Sequence, residues 1–439
     1  MSVVHSPSPA TRPARALGIG GRRGGFWIVT AALLSALCSL LAQVAFERAL
    51  GVAGFAQWAY LTALVGLFVP LACMGANHLL LSEFYEGHLV DRADASRVIL
   101  YVCSFSAIAL AAFIVVYQRG ARASEANLPL SMVAALFVAQ VLVTLAFPVY
   151  QARAQTGWVA LWPLLQVGLR AGVGALAMLA AWSLLEAVGA WTVVCICLAA
   201  VAAWQVWPSV RARLERPAAI LPEVAGSRPG TRRTVAAGVG FGISELLDAL
   251  DLKLLVPLAA FLFGAVETAA SGLAVVVLSA VFFFPHALIN RVLLPAIHRA
   301  SSTPAEQLEI RRLILRLCAA SLVVLAPITA LMYAYGYPLI ARAVRGDYSS
   351  QATALSWLAF CLVPLCISQL GAAPHLERRR TWRLLRWRLE ALAIFVGVAM
   401  VFRSLGLASL VLGFAIGRVW LSVRVLEGLR RLKGPDRGR

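Results

Sequence analysis

The residues best placed to do chemistry in this chain stand in one stretch, Phe241-Gly242-Ile243-Ser244-Glu245-Leu246-Leu247-Asp248-Ala249-Leu250-Asp251-Leu252-Lys253. At about 100° per residue of an α-helix, Ser244, Glu245, Asp248 and Asp251 fall on roughly 120° of the circumference, so one face is acidic. An ionised residue at mid-bilayer costs roughly 2.5–3.5 kcal/mol, so such a face is expected to line water, a cavity or charged partners. The chemistry this suggests is proton or cation coupling, H+ or Na+; an ion-pair network between helices is the structural alternative. Lys253 lies off the arc, and its partner is expected on another span or in the headgroups. Arg170 stands alone in a second apolar stretch, between Gly168 and Gly172, a G-x-x-x-G spacing that permits close helix approach. An arginine stays charged and binds phosphate well, so it points either to an anionic ligand group or to a salt bridge with the acidic face.

Weaker candidates sit near the ends of apolar runs. Arg48 follows Glu47 and could meet a substrate phosphate or only its neighbour; Asn77, His78, His286, Asn290 and Arg291 could form a gate, contact headgroups or simply pack helices. No nucleophile–base pair, H-E-x-x-H, P-loop or D-x-D pattern stands in any loop, and the loops are short, so an enzyme is not expected. The eight cysteines all fall in apolar stretches without ligand spacing, which gives neither a disulfide framework nor a metal site, and no cofactor is expected.

The elements that must position these residues are membrane spans. Of 439 residues 61 % are hydrophobic and 13 % charged, against roughly 45–50 % and about 25 % in soluble proteins. Windows of about 20 residues give twelve spans, near 26–46, 58–81, 98–118, 128–149, 158–182, 187–209, 234–263, 270–296, 313–336, 353–374, 386–402 and 405–426. Of the 39 basic residues, 31 fall in segments that are cytoplasmic if the N-terminus is inside, and six fall outside; basic loops stay cytoplasmic, so both termini are expected there. Residues 1–25 read as a cytoplasmic disordered tail, 26–209 as one six-helix bundle and 210–233 as a cytoplasmic linker. A second six-helix bundle follows over 234–427, then a basic tail over 428–439. Arg22-Arg23 before the first span suit an uncleaved signal-anchor. Shifting the first half by 213 positions lays Leu50-Gly51 on Phe263-Gly264 and Asn77 on Asn290, an internal repeat of the kind transporters use. The run from His375 to Arg388, with Trp382 and Trp387, looks like an RNA-binding stretch in isolation; at the start of an apolar span it reads as a membrane-lipid headgroup anchor, and no nucleic-acid partner is expected.

Arg48-Ala49-Leu50-Gly51-Val52-Ala53-Gly54-Phe55-Ala56-Gln57-Trp58, then an apolar helix and Met74-Gly75-Ala76-Asn77, resembles the opening of bacterial polysaccharide-biosynthesis flippases. Asp251-Leu252-Lys253-Leu254-Leu255 with Gly264, Leu293-Leu294-Pro295-Ala296-Ile297, Tyr348 to Leu362 and Gly371 to Arg386 resemble later segments of that family. Ala56 and Trp58 depart from its Gly and Tyr. The resemblance implies a Wzx-type member of the multidrug/oligosaccharidyl-lipid/polysaccharide (MOP) exporter superfamily. Its fold would be all-α, about twelve transmembrane helices in two MATE-like six-helix bundles. Its function would be to flip an undecaprenyl-diphosphate-linked oligosaccharide across the bacterial inner membrane for O-antigen or exopolysaccharide synthesis, alongside a polymerase and glycosyltransferases. On that reading Arg48, Arg170 and Arg291 contact the diphosphate, Asn77 and Asn290 line the cavity, and Glu245, Asp248, Asp251 and Lys253 form the coupling or sugar-contacting face. The alternatives are a MATE-like drug/cation antiporter, an integral-membrane polymerase or ligase, and a non-transporting scaffold.

Overall fold

The computed structural model describes residues 22–76, 92–123, 128–152, 156–214, 252–288, 304–377 and 381–431, with 239, 242–243, 245–247 and 249–250. Asn77, His78, Ser244, Asp248, Asp251, Asn290 and Arg291 lie outside the described residues, as does most of the 210–233 linker; so does the side chain of His286. In a bilayer each backbone amide must be satisfied within its own segment, and the Ala-, Leu- and Val-rich runs form helices. These are α1 (Arg22–Cys73), α2 (Arg92–Ala123), α3 (Leu130–Ala152), α4 (Thr156–Leu179), α5 (Leu184–Leu214) and α6 (Leu255–Leu262). The second half continues with α7 (Ala265–Leu288), α8 (Pro304–Ala343), α9 (Ala352–Trp357), α10 (Leu362–Glu377), α11 (Thr381–Val401) and α12 (Leu407–Arg431). Among the described residues, eight helical stretches are long and apolar enough to cross a membrane, and Ala265–Ala280 is a shorter apolar helix. The chain is an all-helical polytopic membrane protein.

The described helices overlap the predicted spans, with those at 26–46 and 58–81 merged in α1; parts of the spans at 234–263 and 270–296 lie outside the described residues. The merger breaks at Gly51 (φ 66°, ψ −178°), a backbone conformation open essentially to glycine. Phe263-Gly264, its counterpart in the internal repeat, stands at the equivalent junction between α6 and α7. A capping box starts α5, where the Ser183 amide and hydroxyl both donate to Glu186 Oε2 (2.7 and 2.8 Å).

Packing follows small residues, as it must where lipid is as apolar as the partner helix. The α4 face that approaches α1 closely is at Gly174, where a Cβ would stand 3.1 Å from the Ala42 carbonyl and 3.3 Å from Ala45 Cβ. At Gly168 and Gly172 a Cβ would meet nothing within 4 Å among the described residues, so among these residues the G-x-x-x-G spacing around Arg170 makes no close helix contact. On the second segment of α1, buried Ala269, Ala270 and Ala274 of α7 pack close, and a Cβ on Gly272 would come within 2.6 Å of Ala59 Cβ. The described residues leading into α6 run antiparallel to the same segment: Gly242 lies against Met74 and Gly75, Lys253 against Gly66, and Val256 against Ala59 and Ala63. One apolar core thus crosses both halves. Smaller clusters join α8, α10 and α12 through Ile314, Cys318, Cys366 and Leu429, and α10, α11 and α12 through Ala372, Leu384 and Val425. Outward, Leu33, Leu37, Leu41, Val193 and Val323 are exposed, an apolar periphery suited to acyl chains.

Candidate functional site

Pro70 sits inside the second segment of α1 and has no N–H, so the carbonyl of Gly66, four residues earlier, lacks its helical donor. Lys253 supplies one: its Nζ donates to Gly66 O at 3.1 Å. Glycine leaves the room, because a Cβ at position 66 would stand 2.7 Å from Lys253 Cδ and 2.9 Å from Cε. The expectation that the partner of Lys253 lies on another span holds, and that partner is a neutral oxygen.

Arg170, near the middle of α4, lies within electrostatic reach of Lys253. Its guanidinium carbon stands 5.3 Å from the Trp58 ring centroid, and Trp58 is held by stacking on Phe46 at 3.9 Å between centroids. The buried Nε and Nη2 atoms of Arg170 have no hydrogen-bond acceptor among the described residues. A desolvated cation–π contact is worth about 2 kcal/mol, short of the several kcal/mol that desolvating an ion costs. This cation is under-compensated, and with Lys253 it makes a region of two cations. Glu245 lies close enough to Cys73 at the end of α1 to interact with it electrostatically. Arg170 and Lys253 thus lie within electrostatic reach of one another, and Glu245 within reach of Cys73.

Arg48 stands elsewhere, in a clasp between the halves. Glu47 is fully buried, and its carboxylate accepts the amides of Arg345 and Gly346, both at 2.8 Å, and the Tyr348 hydroxyl at 3.3 Å. Arg48 donates from Nε to the Ala343 carbonyl and from Nη2 to Arg342 O at 3.4 Å, at the negative end of the α8 dipole. Arg345 Nη1 returns a bond to Arg48 O at 3.4 Å. Neighbouring Glu47 and Arg48 thus serve opposite charges on one turn rather than each other. A Cβ on Gly346 would meet Glu47 Oε1 and Tyr348 Cε2 at 2.8 Å, so the turn closes this tightly only with glycine. Beside it, the amide of Ser349 donates to Asp347 Oδ1 at 2.9 Å, which holds that carboxyl below its ordinary range. Gln351 Nε2 donates to Glu267 Oε1 at 3.2 Å and ties the turn to α7.

No protein-family model and no curated protein matches the chain in sequence. Solved structures match it in shape. An inward-facing multidrug resistance MATE family transporter of the MOP superfamily overlays with a TM-score of 0.65, covering 95 % of this chain and 96 % of that one at 12 % identity. The fold is MATE-like. A Vibrio cholerae MATE transporter gives a TM-score of 0.62 at 16 % identity, over 93 % of this chain and 97 % of its own. An outward-facing MATE family transporter gives 0.55 at 13 % identity, over 93 % and 94 %. In this MATE-like fold the Arg170–Lys253 region and the Glu47 clasp both lie where the two halves meet.

Four features escaped the sequence reading: Trp58 as the seat of Arg170, Gly66 as acceptor, and the burial of Arg388 and Arg418, both 2 % exposed though assigned to basic ends. The Gly66-x-x-x-Pro70 spacing carried a legible signal, since a proline in a span frees the carbonyl four residues back.

Proposed function

We propose that the chain flips an undecaprenyl-diphosphate-linked oligosaccharide across the bacterial inner membrane by alternating access between its two halves. The observation that carries this reading is the under-compensated guanidinium of Arg170 beside Lys253, whose own partner is neutral. A site with two such cations suits a diphosphate and opposes a cationic drug. Arg170 is the contact to the anionic group, with Arg291 a further contact and Asn77 and Asn290 lining the path of the sugar. Glu245, Asp248 and Asp251 are the coupling or sugar-contacting face, with H+ or Na+ as the driving ion. Both termini are cytoplasmic, and a polymerase and glycosyltransferases of the same pathway are the partners. The clasp of Glu47 and Arg48 supports an inward-open state closed at the opposite end, and the higher overlap with an inward-facing than an outward-facing MATE structure runs the same way.

The MATE-like fold and the acidic 245–251 segment favour a second reading, a drug/cation antiporter. Deleting the gene in its host separates the two. Completed lipid-linked oligosaccharide is expected to accumulate on the cytoplasmic leaflet of spheroplasts, cleared by wild type and not by Arg170→Ala. Normal delivery of the lipid-linked unit, with new sensitivity to cationic drugs, overturns the flippase reading.

A further inference from the structure

Between α11 and α12 a groove of about 240 Å³ is lined by Arg383, Arg386, Trp387, Glu390, Arg424 and Glu427. It lies far along the chain from Arg170 and Lys253. Arg386 Nε donates to Glu390 Oε1 at 2.9 Å. Glu390 Oε2 accepts the Trp420 indole N–H at 3.3 Å and faces Arg424 Nε at 4.0 Å. Arg424 Nη1 donates to Glu427 Oε2 at 3.4 Å, and its guanidinium lies 4.6 Å from the Trp420 ring centroid.

Two carboxylates thus offset two of three guanidinium groups, and the charge left over is Arg383, exposed and with no carboxylate partner among the described residues. Arg424 Nε is buried and has no hydrogen-bond acceptor among the described residues, a donor pre-held by stacking on Trp420 and bridging to Glu427. Tryptophans and arginines at the end of a helix pair mark the headgroup level of a bilayer, and basic pockets between transmembrane helices on the cytoplasmic side suit lipid phosphates.

We infer that this groove is a binding site for one anionic phospholipid, whose single phosphodiester is held by Arg383 and Arg424 while its acyl chains lie along the exposed α11 surface. One net positive charge matches one phosphodiester. A zwitterionic lipid would set its own ammonium against Arg383, and a free dianionic phosphate would exceed the charge the groove offers. The site goes beyond the flippase reading and stands whatever the protein transports.

The test uses the full chain in detergent, titrated with phosphatidylglycerol, phosphatidylcholine or inorganic phosphate and read by native mass spectrometry. One phosphatidylglycerol is expected to stay bound per chain, with phosphatidylcholine retained far less. Arg383→Ala, an exposed change that leaves the three ion pairs intact, weakens retention roughly fivefold, the effect of about one arginine at a lipid surface. Arg424→Ala weakens it at least as much, and Arg312→Ala, an exposed arginine on α8, does not. Retention unchanged in Arg383→Ala overturns the site. Displacement of phosphatidylglycerol by excess inorganic phosphate makes it a free-phosphate site, and equal retention of phosphatidylcholine makes it a non-selective lipid groove; either overturns the proposal.

Discussion

A buried arginine with no acceptor for its Nε and Nη2 among the described residues is either a fault in packing or a seat for a ligand, and the two differ in what its removal does. Replacing a poorly compensated buried ion by an apolar residue of similar volume is often neutral or stabilising, by about 1–4 kcal/mol. Arg170→Met is therefore expected to leave Tm in detergent unchanged or raised while transport falls at least about tenfold, a loss of ~1.4 kcal/mol or more. A sharp fall in Tm would show that the guanidinium holds α4 and α1 together. Lys253 has a different prediction, because its partner oxygen exists through Pro70. Lys253→Met should cost about 0.6–1.7 kcal/mol, the range of interhelical hydrogen bonds in membranes. In a Pro70→Ala background, where the Gly66 carbonyl regains its helical donor, most of that cost should vanish. Additive losses in this double-mutant cycle, measured by denaturant unfolding, would sink the assignment. Arg170 was legible as a charge in an apolar run. Its seat on Trp58 was not, because helical periodicity gives the face a side chain occupies and not which helix meets that face.

At the scale of elements, the turn Val344–Tyr348 between α8 and the Ser349–Gln351 helical turn is held by Glu47, 298 residues before Arg345 in the chain. Hydrogen bonds to charged groups are worth about 1.5–3 kcal/mol, so Glu47→Gln is expected to shift the population away from the clasped state. Gly346→Ala should act in the same direction, since its Cβ has no room beside Glu47 and Tyr348. Spin labels at exposed Ala53 and Ser350 should show a longer distance component in both variants; an unchanged distribution would make the clasp incidental. Asp347 adds a pH dependence with a fixed sign. Its folded carboxyl titrates below the ordinary value, so its contribution is present above the unfolded value of about 3.9 and is lost as pH falls through the lower folded value. On acidification the distance between those labels is expected to lengthen in wild type and to lengthen less in Asp347→Asn. Sequence placed Glu47 and Arg48 side by side and offered Arg48 either a substrate phosphate or its neighbour. The structure turns them to the amide and carbonyl sides of one distant turn, a long-range contact that residue order does not encode.

At the scale of the molecule, the polytopic helical fold and the helix junctions at Gly51 and Gly264 were readable because hydropathy and glycine junctions are local properties. Which small-residue face met which helix was not: Gly174 and Gly272 make close approaches, while a Cβ at 168 or 172 would meet nothing within 4 Å among the described residues. The last two helices carry a further consequence, for how the protein is built. α11 bears Arg383, Arg386, Arg388 and Glu390 in its first half and is absent from the eight described stretches apolar enough to span alone. It is tied to α12 by the Arg403–Leu405 turn and by Gly406 at φ 60°, and Gly413 and Gly417 let α12 lie directly on the Phe395 and Ala391 carbonyls. Partition into lipid is therefore a property of the hairpin. During synthesis α11 must wait in or beside the translocon until α12 has emerged, so a nascent chain ending near Phe402 should leave α11 extractable from membranes by alkali, and one ending after Arg431 should not.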